Sequence, residues 1–315
     1  MQQERLVAEV NAFMNQQERR ILAQDIDKQD ANMAVSDSRF GMNPQTHRRS
    51  FVRSIAGGTL ATMAAGATAD VDPRKVLLYE STRKEFREAI ESGALKAVIV
   101  PTGSTEQHNE HLAMINDTAS VTLVAQKAAL LLYPKVMVAT PVPVGISPHW
   151  MERKGTLTLK KETFLAVVFE ICESLQAHGV KNILILNGHG GNVAPLRESA
   201  PKFASKLGIR IETNSYWDAY TPEIVKKYMA SGKAPGHAAE FETSFAMAAF
   251  PERIHWEGVD YDKIKSRLNI KDPQSAIQEE EFAREAKLAT AAKGEAMIEI
   301  SVQWTAGRLR QLCDA

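Results

Sequence analysis

Two short runs constrain the fold more than anything else in this chain: Ala97-Val98-Ile99-Val100 and Asn182-Ile183-Leu184-Ile185-Leu186. Neither shows the alternation of a strand with one wet face. Each stops at a polar, glycine-bearing loop. Runs of this kind predict strands covered on both faces, which a parallel sheet between helices supplies. Residues 136–139 repeat the pattern, and 210–216 predict a fourth strand. Helical spacing fills the intervals: a capped start at Ser81-Thr82 with Glu85 that stops at Gly93, then 118–132, 162–178 and 192–206. Beyond the last strand it resumes over 240–249, 275–291 and 295–311. Strands alternating with helices of ten or more residues predict an α/β fold with a mainly parallel, doubly wound sheet. Active sites of such folds gather at the carboxyl ends of the strands.

The first seventy residues read differently. Arg48 and Arg49, with Phe51 and Arg53 after them, precede a weakly apolar stretch rich in Ala, Gly and Leu that ends in Ala67-Thr68-Ala69. A basic segment, a short apolar segment and a small-x-small site describe a secretory signal, and the paired arginines point to the twin-arginine export machinery. The expectation is a polar leader over 1–41 (or a true start at Met42), a signal over 42–69, cleavage after Ala69, and a periplasmic domain over 70–315. Removal of 1–69 takes 8 basic and 7 acidic residues from a chain with 38 of each. A net charge this close to zero gives no reason to expect nucleic acid as a partner. With only Cys172 and Cys313, no disulfide framework and no thiolate zinc site is expected. No apolar run reaches 18 residues, so no ordinary transmembrane helix is expected either.

The unusual residues follow the predicted strands. Glu106, His108, His111 and Asp117 come after the first, His189 lies in the 187–192 loop after the third, and His237, Glu240 and Glu242 open a predicted helix. Carboxylates and imidazoles in short loops are oxygen and nitrogen ligands for Zn, Mn or Fe. Three neighbouring loops of this kind can hold two divalent ions with one carboxylate between them. Such a site lowers the pKa of a water and polarises a carbonyl.

These motifs resemble the creatininase (creatinine amidohydrolase) family. The resemblance rests on Gly103, Glu106, His108, His111, Leu112 and Asp117 at the family spacing, on Asn187-Gly188-His189-Gly190-Gly191-Asn192, and on His237 to Ser244. It implies a three-layer α/β/α fold, a homo-oligomer of hexamer type, and two divalent metal ions per chain. Glu106 and His189 would hold one ion, His108 the other, and Asp117 both. In creatininase the last ligand is a glutamate two residues after the second-loop histidine. Gly191 stands there in this chain, so Glu240, which other family members share, is assigned instead. His237 matches the family's proton carrier. Glu242 and His111 are expected to support ligands, and His149 and Trp217 to touch substrate.

The implied reaction is hydrolysis of a C–N bond in a small, possibly cyclic amide. Two alternatives are a metal-dependent lactonase or other hydrolase, and a non-catalytic metal- or ligand-binding protein on the same scaffold. Asn109 and Glu110 replace the family's usual Gly-Pro, Ala239 replaces Gly, and Lys233-Ala234 stand where creatininase has its substrate-contacting Trp-Asp pair. Creatinine itself is therefore not the expected substrate. If the export reading is right, replacing Arg48 and Arg49 by Lys blocks export, and N-terminal sequencing of the exported protein begins at Asp70; an exported protein that keeps residues 42–69 contradicts the cleavage site.

Overall fold

The computed structural model describes residues 71–314. The leader, the Arg48-Arg49 signal and the cleavage site lie outside the described residues.

Four parallel strands form the sheet in the order β2-β1-β3-β4: β1 is Ala97–Thr102, β2 Val136–Val138, β3 Asn182–Asn187 and β4 Arg210–Ser215. The two constraining runs are central neighbours, with Ile99 opposite Leu184 and Val100 opposite Ile185. All of β1 is buried, as is β3 beyond its first residue.

Side-chain alternation splits the apolar residues between two layers. Val98, Val100, Ile183 and Ile185 pack with Phe164, Val168 and Cys172 of α3 (Lys161–Ala177) and with Leu196 and Ala200 of α4 (Val193–Leu207). The opposite face is covered by α2 (Asn116–Leu130) and by the C-terminal α8 (Ala291–Asp314), both of which contact β1 and β3. The result is three layers, α/β/α. Before the sheet, α1 (Arg83–Glu91) starts at the expected place. Thr82 Oγ1 accepts from Glu85 N, and the Glu85 carboxylate accepts from Thr82 N, a reciprocal capping box.

After β4 comes a short helix, α5 (Pro222–Tyr228), that the apolar pattern did not predict. It buries no residue, so no apolar stripe marked it. Its signal is local: Thr221 caps it and Pro222 opens it. Then follow α6 (Glu240–Ala249), α7 (Pro273–Ala286) and α8.

The packing of α6 against α8 depends on a missing side chain. A Cβ on Gly294 would collide with the backbone carbonyl of Ser244 and come within 2.9 Å of the Ala248 Cβ. Alanine ordinarily stabilises a helix over glycine by about 0.5–1 kcal/mol. Here overpacking, at about 1–3 kcal/mol, outweighs that gain. Gly294→Ala is accordingly expected to lower the urea unfolding midpoint; a raised midpoint would show that the crossing relaxes freely.

Candidate metal centre and substrate cavity

The carboxyl ends of β1 and β3 deliver the first groups. The loop after β1 carries Glu106 and His108 and leads directly into α2, whose second residue is Asp117. The loop after β3 carries His189. Asn187, the last residue of β3, holds that loop: its Oδ1 accepts from His189 N at 3.2 Å and its Nδ2 donates to His189 O at 2.8 Å. Glu242, in the first turn of α6, completes the set.

Asp117 stands in the middle. Its Oδ1 lies 2.9 Å from His108 Nε2 and its Oδ2 lies 2.9 Å from His189 Nδ1. Glu106 Oε1 is 3.4 Å from His189 Nδ1, and Glu242 Oε2 is 3.6 Å from His108 Nε2. Two triads share Asp117, Glu106–Asp117–His189 and His108–Asp117–Glu242, and a third group joins Glu106, His108 and His237; in each the donor atoms lie within 4.8 Å of one another. All five residues of the two triads are buried.

The second nitrogen of each imidazole is already committed. His108 Nδ1 donates to the Glu106 carbonyl at 3.1 Å. His189 Nε2 faces the Ile146 carbonyl and Ser147 Oγ, both at 3.1 Å. Such bonds fix the tautomer that turns a lone pair toward a cation, as is usual for metal-binding histidines.

The electrostatics fit a cation. Burial disfavours charge on His108, but Asp117 and Glu242 outweigh it and lift the imidazole to about 10. His189 is lifted to about 10 in the same way, by Asp117 and Glu106 against its burial. Burial pushes Glu242 up to about 8. Burial also works against the charged form of Asp117, yet His108 and His189 hold its carboxyl well below the usual range. Among the described residues, no Lys or Arg pairs with Glu106, Asp117 or Glu242, and Glu106 Oε2 is buried without a hydrogen-bond partner. Three buried carboxylates, two oriented imidazoles and one orphaned oxygen are a donor set suited to divalent ions.

Glu240 is not part of this set, which corrects the assignment made from the sequence. Its carboxylate accepts from Ala230 N at 3.0 Å and Ser231 N at 2.6 Å and pairs with Lys293 of α8. The reason is helical phase. Residues two apart on a helix point about 200° away from each other, so only one of Glu240 and Glu242 can face the cluster. Glu242 does, and its Oε2 also accepts from Ala238 N at 2.6 Å. Gly191, where creatininase carries its glutamate, has no room for a side chain: a Cβ would run into the Ile146 carbonyl and lie 2.7 Å from His189 Nε2.

His237 reaches the cluster from the other side, its Nδ1 3.7 Å from Glu106 Oε1. Burial and the nearby His108 keep this imidazole well below its ordinary pKa. Above the triads opens a cavity of about 430 Å³. Its walls include His149, Trp150, Trp217, Pro235 and His237, with Gln278 at the rim. His149 and Trp217 thus line the cavity. His111 does not: it is buried, with Nε2 2.9 Å from Thr243 Oγ1, and it ties the β1 loop to α6. The sequence reading passed over Trp150, whose ring stacks on His237 at 4.7 Å, and Gln107, whose amide contacts it. Their signal was adjacency, since each neighbours a residue already singled out.

An α/β sheet carrying a carboxylate–imidazole cluster of this kind at its carboxyl edge has the donor set of a divalent-metal site. The creatininase family model, described as creatinine amidohydrolase, matches residues 79–309, and the chain belongs to the creatininase family. It is 32% identical over 191 residues to 3-dehydro-scyllo-inosose hydrolase of Thermotoga maritima, covering 59% of this chain and 60% of that protein. It is 26% identical over 262 residues to creatinine amidohydrolase of Pseudomonas putida, covering 76% and 97%. A crystal structure of creatininase superposes with a TM-score of 0.66 at 25% identity, over 76% of this chain and 98% of that one.

Glu242→Gln is expected to lower bound metal toward one ion per chain, whereas Glu240→Gln leaves metal content unchanged, both read by elemental mass spectrometry. The reverse pattern would restore the assignment made from the sequence.

Proposed function

We propose that this hydrolase binds two divalent ions, Zn, Mn or Fe, and cleaves a C–N bond in a small amide. The observation that carries the proposal is the pair of triads sharing Asp117. Glu106 and His189 would hold one ion, His108 and Glu242 the other, and Asp117 both. Divalent ions bound there supply an activated water near neutral pH and polarise the substrate carbonyl.

The protein's own residues do the rest. The Asp117 carboxylate and the backbone-anchored imidazoles of His108 and His189 keep the cluster rigid, so the reacting groups meet in one geometry. Trp150 and Trp217 offer flat apolar walls to a small ring or planar amide, and His149 lies beside them. His237 stands over the cluster and within reach of a carbonyl held there. The residues lining the cavity include no Arg or Lys. A phosphoester would call for such a clamp, so an uncharged acyl group suits this cavity better.

A second reading, cleavage of a ring that is not an amide, draws on the 32% identity to 3-dehydro-scyllo-inosose hydrolase. Export by the twin-arginine route, periplasmic residence and assembly into a homo-oligomer belong to the same proposal. They draw support from the Arg48-Arg49 segment and from the family resemblance.

Elemental analysis of protein purified without chelator should find about two transition-metal ions per chain. Chelation should abolish hydrolysis in a screen of small amides, lactones and phosphoesters, and readdition of Zn or Mn should restore it. A protein that takes up no ion from excess Zn or Mn contradicts the reading, and activity on lactones alone selects the second one.

A further inference from the structure

We propose that α7 gives the cavity a second recognition point: Gln278 receives an uncharged hydrogen-bonding group of the substrate, a hydroxyl, amide or carbonyl, on the part of the molecule that lies away from the carboxylate–imidazole cluster. The subsite follows from how α7 is held against the cavity, while its role in choosing a substrate rests on the hydrolase reading above.

One face of α7 addresses the site. At 100° per residue, Gln278, Glu281, Phe282 and Glu285 fall within about 100° of arc. Phe282 meets the His237 ring edge-on at 5.6 Å. Glu281 and Glu285 each accept from Lys233 Nζ at 2.6 Å, on the segment that runs through Pro235 and Gly236 to His237. Gln278 lines the cavity itself. It stands one turn before Phe282, which places the two Cα atoms about 6 Å apart along the helix axis. The cluster is buried and Gln278 is exposed, so the two mark the floor and the mouth of the cavity. A molecule held at the floor by its carbonyl therefore presents its far side to Gln278.

The backbone of this subsite is fixed and its side chain is free. Glu279, the next residue, is buried; its carboxylate pairs with Arg153 and its carbonyl accepts from Asn109 Nδ2 at 3.2 Å. Arg153 N in turn donates to the Trp150 carbonyl at 2.9 Å, and Asn109 directly follows His108. Helix α7 is thus tied to the loop that carries Trp150, to the loop that carries His108 and, through Lys233, to the segment before His237. A buried ion pair such as Arg153–Glu279 is costly to break, because removing one partner leaves the other charge uncompensated. The Gln278 side-chain amide, by contrast, makes no hydrogen bond to any described residue.

Gln278 is also the one side-chain amide among the residues that line the cavity, where aromatic rings, glycines, a proline and the cluster supply the rest. An amide offers donors and an acceptor without charge. It suits a hydroxyl, an amide or a carbonyl. A carboxylate or phosphate at this end would call for a cation, and the lining holds no Lys or Arg. A ligand without such a group leaves Gln278 hydrated at the mouth, so the discrimination is that of one uncharged hydrogen bond, about threefold to tenfold in affinity.

The test uses the full chain loaded with zinc and ligand-observed NMR, which reads binding whether or not the probe is cleaved. The probes are the plain lactams pyrrolidinone and piperidone, each paired with the counterpart that carries a hydroxyl across the ring from the carbonyl. The wild type should bind at least one hydroxylated lactam about threefold to tenfold more tightly than its plain partner. Gln278→Leu should erase that preference, leave binding of the plain lactams as it was, and change neither metal content nor melting temperature. Equal binding within every pair by the wild type, a preference that survives Gln278→Leu, or no binding of any lactam overturns the proposal. The two readings fail separately. A protein that holds two ions and cleaves amides but ignores the hydroxyl keeps the hydrolase reading and loses the subsite, whereas a hydroxyl preference in a protein that takes up no metal keeps the subsite and loses the hydrolase.

Discussion

Everything at the carboxyl edge of the sheet answers to one electrostatic problem: three carboxylates, Glu106, Asp117 and Glu242, are buried within a few ångströms of one another. Placing a carboxylate out of water costs several kcal/mol unless charge and hydrogen bonds compensate it. Within the protein the compensation is slight. His108 and His189 are the cationic partners, Ala238 N–H bonds Glu242, and Glu106 Oε2 meets no donor. Divalent ions between the carboxylates, as proposed, would resolve the problem. The same arrangement explains why the imidazoles are anchored through their far nitrogens, since a ligand that turned would leave the negative charge unbalanced.

Much of this was legible in the sequence because burial leaves a plain mark. Ala97–Thr102 and Asn182–Asn187 are strands covered on both faces, and their apolar runs say so without reference to any relative. Glu106, His108, Asp117 and His189 follow those strands in the loops where a parallel sheet places its chemistry, and the structure brings them together. Glu240 and Glu242 show where the reading stopped. Both are acidic, both stand in the first turn of one helix, and both are buried. Only the angle of 100° per residue separates a cluster residue from an anchor for Ala230, Ser231 and Lys293. A wheel drawn through α6 would have shown that one of them must turn away, although not which. Gln107 and Trp150 carried no signal beyond adjacency for another reason: an amide and an indole bear no metal-site signature, and their contacts with His237 are made across long stretches of chain.

The Glu240 anchor has a function of its own in the fold. Its bonds to Ala230 and Ser231 fix the start of the segment that reaches His237 through Pro235 and Gly236, both of which line the cavity. Lys233, on the same segment, pairs with Glu281 and Glu285 of α7. The cavity wall is thus tied to α8 at one end and to α7 at the other. Lys233-Ala234, the pair that stands where the family resemblance leads one to expect Trp-Asp, belongs to this wall.

The central claim is that Asp117 lies between two ions, and anomalous diffraction tests it most directly. Crystals of the zinc- or manganese-loaded protein should show two anomalous peaks flanking the Asp117 carboxylate, one against Glu106 and His189 and the other against His108 and Glu242. A single peak, or a second peak beside Glu240 and Lys293, would contradict the account.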